Sequence, residues 1–296
     1  MKKIFLSATA ITLLLTACTD PKTENSTDNK TAAATAGLAK PKAPVAEGIK
    51  RILFVGNSHT EFYVSMPDIL AALCKENNQN LQIDKLVEMG ASIEEILKAQ
   101  KSTAEKDFAL NDKDGNYYDY IILQEKTPVA LQELDKYKAS SKTLMAMAAK
   151  NSPDAAVYVY ELMSPLPFKE DPKEFDKYQK DLTNNAVAVA KTLPNAGILP
   201  LGTAVAAAYA GKEGYVYDKE GKDQLRFGTN TLHMLNDAGF LGTVLLYETI
   251  FGSEPKIPAQ LPLATGTGDQ DPIKLQEVNT TISNPVALQK IAAAFK

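Results

Sequence analysis

Ile52-Leu53-Phe54-Val55-Gly56-Asn57-Ser58 decides how the folded part of this 296-residue chain is read. The first four residues are apolar and two of them are β-branched, the mark of a short buried strand. The run breaks at Gly56 and leaves Ser58 in the following loop, and Met66-Pro67 opens a helical pattern eight residues on. A hydroxyl held between a buried strand and a helix can sit beside backbone N–H groups that have no partner of their own. Nucleophilic acyl transfer needs that setting. The same residues also suit an ordinary Gly-Asn-Ser turn, so the surroundings of Ser58 must decide.

Outward from this stretch, strand and helix patterns alternate. Residues 81–87, Tyr120-Ile-Ile-Leu123, Ala155-Val-Tyr-Val-Tyr160 and Gly197-Ile-Leu199 read as further strands. Helices are expected near 67–77, from the capping box Ser92…Glu95 to about 102, across 131–150, over 172–192 and 203–209, and over 237–251 before Gly252. Residues 253–275 are rich in Pro, Gly and Asp and read as a surface excursion, and Pro285 to Phe295 as a short helix packed back on the body. Apolar strands separated by helices predict a parallel sheet covered on both faces. The expected fold class is α/β, one three-layer α/β/α domain over residues 49–296.

The N-terminal residues read as targeting and not as fold. Lys2 and Lys3 precede an apolar stretch over 4–15, and Leu15-Thr16-Ala17-Cys18 has the form of a bacterial lipobox. Residues 1–17 are then a lipoprotein signal peptide, and Cys18 is the lipidated first residue that tethers the chain to a membrane without crossing it. Thr19, and not Asp, follows Cys18, which points to the outer membrane of the cell envelope. Residues 18–48 carry few large apolar side chains and read as a flexible tether. Removing Lys2 and Lys3 leaves 30 basic against 36 acidic residues, a net charge of −6. An acidic chain without a basic run is a poor nucleic-acid binder. With two cysteines and two histidines in the chain, no metal site and no cofactor is expected, and Cys74 falls on an apolar helical face with Ile69, Leu70 and Leu73.

In an open parallel sheet, ligands bind beyond the carboxyl ends of the strands. Ser58 follows the first strand, Gly90 the second, Gln124 the third and Glu161 the fourth, while His233 precedes the last long helix. Each has a plain alternative. Gly90 suits a turn, Gln124 can hold a loop and His233 can cap a helix.

Five segments together resemble the SGNH/GDSL hydrolase superfamily, in the branch that writes its first block Gly-Asn-Ser and its third with Leu-Gln. They are residues 52–58, Gly90 in Glu-Met-Gly-Ala-Ser, Tyr118-Asp-Tyr-Ile-Ile-Leu-Gln124, Leu199-Pro-Leu-Gly-Thr203 and His233-Met-Leu-Asn-Asp-Ala-Gly239. The resemblance implies a flavodoxin-like five-stranded parallel sheet, Ser58 as nucleophile and His233 as base. It also implies an oxyanion site formed by Ser58 N–H, Gly90 N–H and Gln124. The superfamily's Asp three residues before the His is Asn230 here, and an amide orients an imidazole without stabilising its charged form. A Ser–His dyad, another acid among Asp218, Asp223 and Asp237, or lost activity all stay open. His59, Tyr63 and Glu161 are expected to line the substrate pocket. The implied activity is that of an envelope-anchored serine esterase or deacetylase acting on small acyl esters, among them acetylated glycans. The alternative is a catalytically impaired lipoprotein that binds a glycan or another envelope ligand in the same cleft.

Overall fold

The apolar runs marked as strands form one five-stranded parallel sheet in the computed structural model, which describes residues 38–44, 48–228, 233–266 and 271–296. The expected signal peptide, Cys18 and Asn230 lie outside the described residues. In chain order the elements begin β1 (Lys50–Gly56), α1 (Met66–Glu76), β2 (Leu81–Val87), α2 (Ile93–Ala99), α3 (Lys101–Asp107) and β3 (Tyr120–Leu123). They continue with α4 (Thr127–Gln132), α5 (Leu134–Ala148), β4 (Ala156–Tyr160), α6 (Pro172–Ala190), β5 (Ala196–Leu199) and α7 (Leu201–Tyr209). The last are β6 (Asp218–Lys219), β7 (Lys222–Asp223), α8 (Asn236–Phe251), β8 (Gln260–Ala264), β9 (Ile273–Glu277), α9 (Val278–Thr281) and α10 (Pro285–Ala293).

The strand order is β2-β1-β3-β4-β5, with every pair parallel. That is the flavodoxin-like order, whose direction of winding switches between β1 and β3. Ile52 to Val55 and Ile121 to Leu123 are buried to 1% exposure or less, because helices cover both faces. Each such aliphatic side chain contributes about 1.5–3 kcal/mol. Helix α8 packs against α1, α7 and α10, whereas α5 packs against α2, α4 and α6. Close approach fixes two glycines of α8. A Cβ on Gly239 would meet Val64 Cγ1 at 2.2 Å, and one on Gly242 would meet Leu201 Cδ1 at 2.2 Å. Gly252 ends α8 in the left-handed region, φ +70°.

Four expectations change. The helix expected over 92–102 breaks at Gln100 (φ −108°, ψ 30°), and the one over 131–150 starts earlier and breaks at Glu133 (φ −126°, ψ 51°). The 253–275 excursion contains β8, which pairs antiparallel with β9 and buries Leu261 and Leu263 completely. The tether's C-terminal part is seated on the domain. Lys42 N–H donates to Asn195 Oδ1 (2.9 Å), Asn195 Nδ2 donates back to Lys42 O (2.8 Å), and Leu38 and Ala43 pack on the core. Pro41 lies where a side chain on Gly197 of β5 would stand, 2.8 Å from its ideal Cβ. No helix among the described residues is long and apolar enough to cross a membrane.

Candidate active site

The carboxyl ends of β1 and β3 meet at the winding switch, and a buried hydrogen-bond lattice joins them. Gln124 Oε1 accepts from Asn57 N–H (2.8 Å) and Thr60 Oγ1 (2.9 Å), while its Nε2 donates to Asn57 Oδ1 (2.9 Å) and Glu125 O (2.5 Å). Asn57 Nδ2 in turn donates to Ala91 O at 2.8 Å, and Asn57 Oδ1 also accepts from His59 N–H. Only glycine fits at position 56, because a Cβ there would lie 2.3 Å from Thr60 Oγ1 and 2.6 Å from Gln124 Oε1. The consequence is a rigid platform that leaves Ser58 half-buried at its top.

Gly90 lies on the exposed edge of the same rim with φ +68°, a conformation that favours glycine. Among the described residues, neither Ser58 N–H nor Gly90 N–H donates to a protein acceptor. Both N–H groups are therefore uncommitted at the carboxyl-end rim of the sheet. Gln124 has another part. It is completely buried, and both its amide hydrogens go to Asn57 and Glu125, so it braces the loop from beneath and does not face the cleft.

Glu125 extends the brace. Its Oε1 accepts from Ile93 N–H (3.1 Å) and Lys126 N–H (2.7 Å), and Ser140 Oγ donates to Oε2 (3.3 Å). It thereby caps α2 and ties the Gly90 loop to β3. Burial raises its carboxyl above the ordinary range, and the two backbone N–H groups oppose that rise. Sequence reasoning missed Asn57 and Glu125. Their neighbours Gly56, Ser58 and Gln124 drew the reading, and only the fold reveals which side chains join the loops.

His233 reaches this rim from 175 positions away. Its ring centroid lies 4.9 Å from Phe62, 5.5 Å from Tyr63 and 5.6 Å from His59, all in the loop that begins at Ser58. Phe227, stacked on Tyr63 at 4.6 Å, closes the aromatic group. The segment is aligned by the bridge between Arg226 and Met234 and by Phe227 N–H donating to His233 O (3.2 Å). Ser58 Oγ makes no hydrogen bond among the described residues, and the His233 ring packs on the loop that Ser58 begins.

His59 and Tyr63 do stand beside His233, but both are buried, at 6% and 4% exposure. They support the imidazole and offer little surface to a ligand. His59 pairs with Thr127 Oγ1 through Nε2 (3.2 Å). Burial first, then the charges of His233 and Arg226, push its pKa down to about 3, so it stays neutral. Glu161 does not line a pocket at all. It is completely buried and accepts from Thr183 Oγ1, Thr203 N–H (2.9 Å), Thr203 Oγ1 (2.7 Å) and Gln179 Nε2 (3.3 Å), tying β4 to α6 and α7. Its carboxyl too is raised by burial.

The three acids considered beside Asn230 have other partners. Asp218 pairs with Lys169 at 2.6 Å. Asp223 accepts from Tyr209 OH (2.8 Å) and Leu225 N–H (2.8 Å), and Asp237 from Tyr215 OH (2.6 Å) and Ser283 N–H (3.2 Å). Among the described residues no group of three His, Cys, Asp or Glu is placed to hold a metal ion. Cys74 is buried in α1 and its thiol is pushed up to about 12 by desolvation, which leaves it an inert apolar side chain.

No protein-family model matches the sequence, and no curated protein matches it either. Solved structures do. The chain is similar to a DUF4886 family protein from Bacteroides uniformis, at 17% identity and a TM-score of 0.55 over 83% of this chain and 93% of that one. It is also similar to a candidate SGNH hydrolase from Slackia heliotrinireducens, at 19% identity and a TM-score of 0.50 over 69% of this chain and all of that one. At such identities the likeness is one of architecture. The chain has the three-layer α/β/α fold of SGNH type, with Ser58 at its winding switch and His233 packed on the loop that Ser58 begins.

Proposed function

We propose that the protein is a serine hydrolase that cleaves small acyl esters, acetyl esters foremost and acetylated glycans among them. Ser58 Oγ attacks the ester carbonyl and His233 takes its proton. Ser58 N–H and Gly90 N–H receive the oxyanion, and His233 then returns the proton to the departing alcohol. Water repeats the sequence on the acyl-enzyme. The observation that carries this reading is the packing of the His233 ring against His59, Phe62 and Tyr63, immediately after Ser58. Because Asp218, Asp223 and Asp237 are held by other groups, His233 works with Ser58 as a dyad. Cys18 carries the lipid that anchors the chain at the cell envelope, in the outer membrane.

Turnover of p-nitrophenyl acetate tests the chemistry. Ser58→Ala and His233→Ala are each expected to lower kcat by about 10³-fold or more with the fold intact by circular dichroism. Undiminished turnover in either variant contradicts the assignment. The prior engagement of Asp218, Asp223 and Asp237 favours one other reading, a cleft that binds an envelope ligand without cleaving it. Ligand binding by a wild-type protein whose Ser58 resists a fluorophosphonate would select that reading.

A further inference from the structure

A cleft of about 440 Å³ opens beside the His233 segment, outside the Ser58 platform. Phe227 and Leu235 line it, and both belong to the strand-like pairing that carries His233, since Phe227 N–H donates to His233 O and Leu235 N–H, two residues after His233, to Leu225 O. Phe227 is also the ring stacked on Tyr63, which stands edge-on to His233. A ligand in the cleft therefore lies against the aromatic group that holds the base.

The opposite wall is the β6–β7 hairpin. Glu220 (φ 55°) and Gly221 (φ 80°) form its two-residue turn, both left-handed as so short a turn requires. Tyr217, at the foot of the hairpin, is held by ring contacts with Tyr209 (5.0 Å) and Phe168 (5.7 Å) and lines the cleft. A fixed aromatic surface thus forms part of the site before any ligand arrives.

The charges around it cancel. Lys169, Lys222 and Arg226 are matched by Glu170, Asp218 and Asp223. Lys169 is already paired with Asp218, and Arg226, 1% exposed, gives its Nη groups to the carbonyl oxygens of Ser164 and Leu166 while its Nε makes no hydrogen bond. An anion would meet three carboxylates and cations largely committed. A hydrocarbon chain would strip water from charged groups and return nothing. What suits a fixed aromatic face bordered by donors and acceptors of both kinds is an uncharged ring with C–H on its faces and hydroxyls on its edge. The volume is in the range of small-molecule sites.

We propose that this cleft receives the alcohol portion of the ester substrate and that this portion is a neutral pyranose, packed on Tyr217 and hydrogen-bonded to Lys222 and Glu170. The assignment rests on the hydrolase reading for its direction, because the departing alcohol then leaves past His233, the group that protonates it. The cleft itself can be tested without turnover.

The full chain carrying Ser58→Ala is titrated by protein-observed NMR with methyl glucopyranoside and methyl galactopyranoside, and with methyl glucuronide, glucose 6-phosphate and hexanol as charged and apolar counterparts. At least one neutral pyranoside is expected to saturate at millimolar concentration and to shift Tyr217 and Phe227 resonances. Tyr217→Ala is expected to weaken it about tenfold, and the exposed Lys222→Ala about threefold should Tyr217→Ala fail to fold. In the Ser58-containing protein, Tyr217→Ala is expected to lower kcat/KM for methyl 6-O-acetylglucopyranoside, relative to that for p-nitrophenyl acetate, about tenfold through KM. No saturation by any neutral pyranoside, tighter binding of a charged or apolar probe, or unchanged binding in a folded variant overturns the proposal. Ser58-dependent turnover of p-nitrophenyl acetate without pyranoside binding removes the cleft assignment alone. Pyranoside binding without turnover removes the hydrolase reading and keeps the cleft.

Discussion

Ser58 and His233 arrive at one rim by different means. On the serine side, Asn57, Gln124 and Glu125 join the ends of β1 and β3 to the Gly90 loop through buried directional hydrogen bonds. On the histidine side, His59, Phe62 and Tyr63 meet the ring by contact, Phe227 backs Tyr63, and the bridge between Arg226 and Met234 aligns the segment outside the sheet. Hydrogen bonds in a dry interior penalise any change that strands one partner. Ring contacts are non-directional and tolerate a similar shape. The contrast suits the chemistry. In the proposed hydrolysis the oxyanion donors must be preorganised to a fraction of an ångström, whereas the imidazole must shift slightly to take and return a proton.

Removing the brace should have the largest effect. Gln124→Ala deletes four hydrogen bonds at a site with no exposed surface, takes that partner from Asn57 N–H, Thr60 Oγ1 and Glu125 O, and leaves Asn57 Oδ1 with His59 N–H alone. The expected loss in denaturant unfolding is about 3–5 kcal/mol. Ester turnover is expected to fall about 10²-fold or more as the platform under Ser58 loosens. A loss below about 1 kcal/mol would mean that the lattice does not carry the loop.

Acid should separate the two sides next. His59 has a folded-state pKa of about 3 against about 6.5 when unfolded, so the unfolded chain takes up the proton first. Its contribution is complete above pH 6.5 and is lost as pH falls from there toward 3, by about 1.4 kcal/mol per unit. Glu125 and Glu161 act in the opposite sense. Burial raises their folded pKa values, so their stabilising share is present at low pH and is lost as pH rises through those values. His59→Gln, which can still bond Thr127, isolates the histidine. Stability of the variant should fall about 2 kcal/mol less than wild type between pH 6.5 and 5. Parallel curves would show that His59 titrates alike in both states.

The aromatic side should yield least. Phe227→Leu keeps an apolar body against Tyr63 and is expected to cost about 1 kcal/mol and a few-fold in kcat/KM. A loss equal to that of Gln124→Ala would erase the distinction between the two sides.

Much of the sheet was legible in advance because β1, β3 and β4 are continuous apolar runs, which only a strand covered on both faces requires. The pair β8–β9 was not, because Pro262 and the Pro-, Gly- and Asp-rich flanks mask a separate two-stranded hairpin. The breaks at Gln100 and Glu133 involve residues with good helix propensity, and tertiary packing overrides it there. At the rim, topology alone gathered Ser58, Gly90 and Gln124, since strand ends of a parallel sheet share an edge. It could not distinguish a side chain above the platform from one beneath it. Gln124 and Glu161 were therefore expected to face a ligand and instead satisfy buried N–H and O–H groups. The β6–β7 hairpin went unread because Asp218 and Asp223 were weighed only as acids and not as the ends of a Glu-Gly turn.

The central claim is that His233 activates Ser58, and the rate at which a fluorophosphonate modifies Ser58 tests it most directly. Peptide mass spectrometry of wild type and His233→Ala, both folded, gives that rate at the reacting oxygen itself. The expected result is exclusive labelling of Ser58 in wild type and a rate about 10³-fold lower in His233→Ala. Equal rates in the two proteins, or labelling at another residue, would contradict it.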